Sequence, residues 1–314
     1  MRNQILNFPS QLSQGVELAR DIKIDKTYEK VVVCGMGGSG IAGEMLLFWQ
    51  EVSGMLPVVC IHRDYDLPSW VSKNDLVVCI SWSGNTEEAL SCYEAAIKSD
   101  IPAVSITTGG KLAELSKKHK TPLVLIPDKD LPPRMGVGYM TAVLFQLIGL
   151  GEKITTISLD PVKTEAEGKK LADKIDGMTP LLYSSYKWRV LPRLWKILFN
   201  ENDKIHAFWN YFPGMAHNEL VGFTDEAQDR FFPIFFKDAG NDKRQNKNID
   251  TAIAILDKQE YNYSIVNLSS SDNPLETVLN GYILGLWTSF YLAKKLGVDP
   301  EKTKLLEEYK ELRY

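Results

Sequence analysis

The sequence predicts an α/β protein built on doubly wound parallel sheets, and three observations predict it. Short apolar runs recur through the first half, amphipathic helical stretches separate them, and the order of elements restarts past residue 150. With 314 residues, 44% of them hydrophobic and 24% charged, the chain is long enough for two domains that each bury a core. The division expected is 1–150 and 151–314.

The apolar runs are VVVC (31–34), PVVCI (57–61), DLVVCIS (75–81), PAVSIT (102–107) and PLVLIP (122–127). Each is a short, near-continuous apolar segment, the pattern of a strand covered on both faces. Between them NTEEALSCYEAAIKSD predicts a helix from Asn85, with acids in the first turn where the helix dipole favours them. GVGYMTAVLFQLIGLGEK reads as one closing helix, and the charged PVKTEAEGKKLADKIDGM as a linker helix. In the second half MTPLLYSS, RFFPIFFKD and NYSIVNLSS read as strands, and PLETVLNGYILGLWTSFYLAKKLG as a long apolar helix. This half echoes the first in the order of its elements, without a glycine turn.

The formal net charge is −4 and the basic residues are dispersed, so the electrostatic footprint of a nucleic-acid partner is missing. The four cysteines, Cys34, Cys60, Cys79 and Cys92, have no C-x-x-C spacing and read as buried thiols. No run approaches the roughly 18 apolar residues of a spanning helix, and the N-terminus has no signal-like stretch. A cytoplasmic protein with no membrane partner is expected.

GMGGSGIAGEML (35–46) follows the first run and opens a helix. Gly35, Gly37 and Gly40 fit G-x-G-x-x-G, a weak signal alone. A phosphate-binding loop of the Walker type needs a lysine after the last glycine, and Ile41 stands there. A dinucleotide site wants an acid ending the second strand, where CIHRDYD offers only Asp64, late and behind Arg63. A sugar-phosphate site needs backbone N–H groups at a helix start and a hydroxyl, which Gly37, Gly38 and Ser39 supply. The third run ends in SWSGNTEE, which gathers Ser81, Ser83 and Thr86 at another helix start. A plain helix cap would need only one of those hydroxyls. Two anion-suited turns at successive strand ends favour a small phosphorylated ligand.

GMGGSGIAG followed by SWSGNTEE resembles the sugar isomerase (SIS) domain, and LPPRMGVGY, NEN and HNE resemble the bifunctional phosphoglucose/phosphomannose isomerases. The likeness runs from about residue 28 to the C-terminus with the motifs in order. It implies two SIS-like domains and an aldose–ketose isomerase acting on hexose 6-phosphates through a cis-enediol, without metal or organic cofactor. It further implies Glu201 of NEN as the base and Arg134 of PPR as the cation beside the enediolate. His217 of HNE and Lys310 near the C-terminus would open the ring, with Lys304 the competing lysine. A homodimer is implied as well, which leaves open whether His217 acts across its interface. Of the four histidines only His217 combines an acid two residues on, Glu219, with an apolar setting that suits acid–base work. His217-Asn218-Glu219 lacks the spacing of a metal site.

The chain departs from the family pattern at Gly214, Met215 and Ala216, before HNE, and in the apolar stretch RLWKILF before NEN. These departures bear on the sugar end of the site and so on the choice between glucose and mannose phosphates. Two other readings fit the letters less well: a non-catalytic phosphosugar regulator, and an NAD(P)-dependent oxidoreductase.

Overall fold

The computed structural model of the chain describes residues 1–22, 24, 27–55, 57–127, 130–175, 177–240 and 242–313. They divide into two compact units, residues 7–158 and residues 1–6 with 159–314.

In chain order the first half runs α1 (Arg2–Leu18), β1 (Lys30–Cys34), α2 (Ile41–Ser53), β2 (Val58–His62), β3 (Leu76–Ser81), α3 (Glu87–Lys98), β4 (Ala103–Thr107), α4 (Gly110–His119), β5 (Leu123–Leu125), α5 (Val137–Leu147) and α6 (Gly151–Thr155). The strands form one parallel sheet in the order β2-β1-β3-β4-β5. Strands β3 and β4 are buried along their whole length, which is why their sequences are almost unbroken in apolar residues. Val32, Cys34, Val77, Cys79, Cys92 and Tyr93 belong to a single core cluster. The Cys79 thiol and burial together push the Cys34 thiol well above the usual range, so it packs as an unreactive side chain. Cys60 is half-buried.

The closing segment is two helices rather than one. Gly149 takes a left-handed φ of +78°, which ends α5 and lets α6 start in a new direction.

The second half runs α7 (Pro161–Ile175), β6 (Thr179–Ser185), α8 (Val190–Leu198), β7 (Phe208–Phe212), β8 (Phe231–Lys237), α9 (Lys243–Lys258), β9 (Ser264–Asn267), α10 (Pro274–Lys295) and α11 (Lys304–Arg313). Its parallel sheet is ordered β7-β6-β8-β9, the same winding as β2-β1-β3-β4. Strand β7 is an addition to the strands expected from the sequence. Phe208-Trp209-Asn210-Tyr211-Phe212 lies at the sheet edge, only its last residue is buried, and so it carries no in–out alternation. Among the described residues no helix is long and apolar enough to cross a membrane.

Helix α7 is no linker. It packs on α10, where the buried Trp287 indole N–H donates to the Pro161 carbonyl at 2.7 Å. A Cβ at Gly168 would stand 2.5 Å from Trp287 Cβ and 3.0 Å from the Thr288 backbone nitrogen. Gly168→Ala gains up to about 1 kcal/mol of helix propensity. It also overpacks a contact with main chain that cannot yield, at about 1–3 kcal/mol. The expected outcome is a net loss of stability, read as a lower urea midpoint with an unchanged slope.

Candidate functional site

In a doubly wound sheet the ligand crevice opens where the strand order reverses, at the carboxyl ends of two neighbouring strands. Here those strands are β1 and β3, and they deliver the glycine turn and the SWSGN turn side by side. The Ser39 hydroxyl, buried at 6% exposure, accepts the Trp82 backbone N–H at 3.1 Å and so pins one turn to the other. The fully buried Ser81 hydroxyl donates to Thr86 Oγ1 at 2.9 Å, and the exposed Ser83 accepts the Asn85 N–H at 3.2 Å. Ser39 and Ser81 therefore also hold the turns together, while Ser83 and Gly37 lie on the exposed side. Helix α3 begins at Glu87 with Thr86 as its N-cap residue, and neither Thr86 nor Gly40, the N-cap of α2, makes a side-chain capping bond. Two helix starts thus bring the positive ends of their dipoles to one crevice, the electrostatics a phosphate dianion calls for.

Gly38 brings the glycine turn against a third segment, backbone to backbone. A Cβ there would stand 2.9 Å from the Arg134 backbone nitrogen and 3.0 Å from the Pro133 carbonyl carbon, so the glycine turn rests on the turn Pro133–Gly136. The sequence left Arg134 open to a surface role; its side chain is 2% exposed. Gln11 clamps the far side of that turn. Its amide donates to the Met135 carbonyl at 2.8 Å and accepts the Tyr139 N–H at 3.3 Å, which caps α5.

A further turn, after β4, locks onto the second. Thr108 N–H donates to the Trp82 carbonyl at 3.0 Å and Lys111 N–H to Asn85 Oδ1 at 3.0 Å, while Gly84 takes φ +70° against the Gly109 carbonyl. The signal for it was the hydroxyl–glycine run TTGG directly after a strand.

The place a ribose-binding acid would take, past β2, is held by Arg63. Its guanidinium pairs with Glu44 at 2.6 Å and donates to the Gly40 carbonyl at 3.3 Å. Asp64 accepts the N–H of its own neighbour Tyr65 at 2.8 Å. This is not the geometry of a dinucleotide site.

The other unit carries the remaining candidates. Helix α8 ends in one π turn, Phe199–Asp203, and Glu201 is half-buried in it. Such single π turns are rare and concentrate at functional sites. Asn202, fully buried, donates to Ser289 Oγ on α10 at 2.8 Å, and Asn200 donates to the Ile205 carbonyl at 3.0 Å, so the flanking asparagines anchor the turn.

His217 ends the short 3-10 helix Gly214–His217 and is exposed. The apolar setting expected for it is not found, and its expected neighbour Glu219 is engaged elsewhere. That carboxylate accepts the Tyr183 hydroxyl at 2.9 Å and an amide N–H of Asn210. Burial first, and Glu219 second, push the Tyr183 hydroxyl well above its usual range, so it stays a donor. Trp209, Asn218 and Glu219 help line an open groove of about 650 Å³ beside β7. Lys310 and Lys304 both lie on α11, which has no buried residue. Among the described residues no three His, Cys, Asp or Glu side chains are grouped to share a metal ion.

Asp203 escaped sequence reading. Its side chain is 1% exposed, and among the described residues neither carboxyl oxygen has a partner within ordinary hydrogen-bond distance and angle. Burial pushes it well above the usual carboxylate range, and Lys204 and the Ala293 backbone N–H only partly oppose that. In the unfolded chain the group ionises near pH 4, while the native state holds its proton; the native state then loses stability as pH rises from about 4 towards the raised value. Asp203→Asn removes that loss. Urea midpoints are expected to favour the variant at pH 8 and to converge with the wild type at pH 4.

Over residues 164–312 the chain matches the family model of the bacterial phospho-glucose isomerase C-terminal SIS domain. It is 33% identical over 299 residues to a bifunctional phosphoglucose/phosphomannose isomerase of Aquifex aeolicus, covering 93% of this chain and 92% of the relative. A protein of the same name from Thermoplasma volcanium is 31% identical over 307 residues, with 95% and 96% covered. Among solved structures, the tagatose-6-phosphate ketose/aldose isomerase of Escherichia coli aligns with a TM-score of 0.71 at 14% identity, covering 95% of this chain and 93% of that one. At such identity the likeness speaks for the fold.

Proposed function

The chain belongs to the bifunctional phosphoglucose/phosphomannose isomerase family, and we propose that it interconverts glucose 6-phosphate and mannose 6-phosphate with fructose 6-phosphate. The observation that carries the reading is the pair of interlocked turns at the switch point of the first sheet, with two helix starts converging on them. In this reading the backbone at Gly37 and Gly38, with Ser39, Ser81, Ser83 and Thr86, holds the phosphate and so fixes the sugar chain. Residues 1–150 carry this cradle, and 151–314 the groups that move protons.

Glu201 takes the proton from C2 of the aldose and returns one to C1, and a positively charged Arg134 stabilises the enediolate formed between these steps. Its burial beside the glycine turn supports that role, because a charge that acts on a transition state must be held in place beforehand. His217 and Lys310 serve ring opening, His217 through an imidazole that can both give and take a proton. Glucose and mannose 6-phosphate differ at C2 only, and both lose that difference once C2 becomes planar in the enediol. The reaction moves protons within one substrate and calls on no cofactor. A homodimer fits the exposure of His217 and the uncovered stripe Leu305, Leu306, Tyr309 and Leu312 on α11. In this reading the enzyme serves glycolysis and gluconeogenesis in the cytoplasm.

In an assay that couples glucose 6-phosphate to a dehydrogenase, the protein is expected to turn over fructose 6-phosphate. Glu201→Gln should lower kcat about 10²- to 10⁴-fold while the circular dichroism spectrum is retained. Full activity in that variant would remove Glu201 from the base role, and phosphosugar binding with no turnover in the wild type would favour a regulator. Parallel assays with mannose 6-phosphate should give turnover as well.

A further inference from the structure

Lys204 closes the turn of Glu201 in a conformation that lysine seldom takes. Its φ is +60° and its N–H donates to the Phe199 carbonyl, a left-handed helix end at which glycine is favoured. The side chain then folds back along the turn. Nζ donates to the Glu201 carbonyl at 2.6 Å, to the Asn202 carbonyl at 3.1 Å and to the Asp299 carbonyl at 2.8 Å. Three main-chain carbonyls thus accept from the one ammonium. Two of the carbonyls belong to the turn that carries Glu201; the third belongs to the segment leading into α11, which carries Lys310.

We propose that Lys204 is a positioning residue for the isomerase reaction: its ammonium fixes the Glu201 turn and ties it to the segment at Asp299. This rests on the reading of Glu201 as the proton-transfer base. The last carbonyls of a helix lack partners within it and carry the negative end of its dipole, so a cation seated on them is favoured. A π turn is an uncommon geometry that needs such outside support to persist against an ordinary α turn. A change of turn type would move the Glu201 carboxylate, and a misplacement of about 1 Å can cost on the order of 10²-fold in rate.

Lys204→Gly separates the two roles, since glycine suits the backbone and removes the ammonium. The expected result is a folded variant whose kcat for fructose 6-phosphate falls at least about tenfold, with KM within about twofold, because the phosphate cradle is untouched. Lys204→Arg, which restores a cation with donors, should recover part of that kcat. Should the glycine variant fail to fold, Lys204→Met keeps the stem, loses the donors and carries the same expectation. Retention of kcat within about twofold, beside a Glu201→Gln variant that is inactive, would overturn the proposal and leave the base reading standing. A kcat loss that follows lost stability and that arginine does not restore would mark a structural role and overturn it too. An active Glu201→Gln variant would take away both readings.

Discussion

The first sheet presents its ligand crevice through a contact between backbones. Gly38 lies against Pro133 and Arg134 at a distance that leaves no room for a side chain, so the turn after β1 and the turn before α5 move as one piece. From there the linkage spreads: Ser39 accepts from Trp82, the Trp82 carbonyl accepts from Thr108, and the Gly84 carbonyl accepts from Leu112. Four strand-end segments are thus joined mainly through main-chain atoms, which have no rotamers to lose. That explains why so many glycines and hydroxyls gather there. A cradle for a dianion gains from donors fixed in advance, since their ordering then costs nothing when the ligand arrives.

The second sheet repeats the winding and reverses the chemistry. Its switch point lies between β6 and β8, where the chain supplies Tyr186-Lys187-Trp188 in place of a glycine turn and Asp238 at the end of the facing strand. The Asp238 carboxylate, 6% exposed, accepts the Trp188 indole N–H at 3.0 Å and the Gly240 N–H at 2.8 Å. The Trp188 and Gly240 donors there are spent on a fixed carboxylate, which Lys187 Nζ also meets at 3.7 Å. The candidate groups of this unit lie elsewhere, at the end of α8 and beyond β7. Two copies of one topology thus differ because different side chains fill the same crevice.

Much of the fold could be read from the letters. β1, β3 and β4 are covered on both faces, and VVVC, LVVCIS and AVSIT say so directly. β7 could not be read, because FWNYF is an edge strand whose aromatic residues are only partly covered and leave no period. The break between α5 and α6 turns on one left-handed glycine inside an otherwise helical pattern. For the site, clusters that act locally were legible: the glycine turn, SWSGN, and the acid between two asparagines. Roles that depend on distant partners were not. Gln11 reaches Met135 across 124 residues, Asn202 reaches Ser289 across 87, and Lys204 reaches Asp299 across 95. A sequence read alone presents these as an ordinary amide in a helix, a loop amide and a surface lysine.

The named groups also divide by how firmly their own surroundings hold them. Arg134 is buried on a turn clamped by Gln11, and Glu201 rides on a turn fixed by Asn202 and Lys204. His217 and Lys310 are exposed, on a short 3-10 helix and on a helix that buries none of its residues. A group that only opens a sugar ring tolerates some freedom, whereas a base that takes a proton from carbon must be held to about half an ångström. The rigid half of the set is the half to which the proposed reaction assigns the C2-to-C1 proton transfer and the charge that accompanies it.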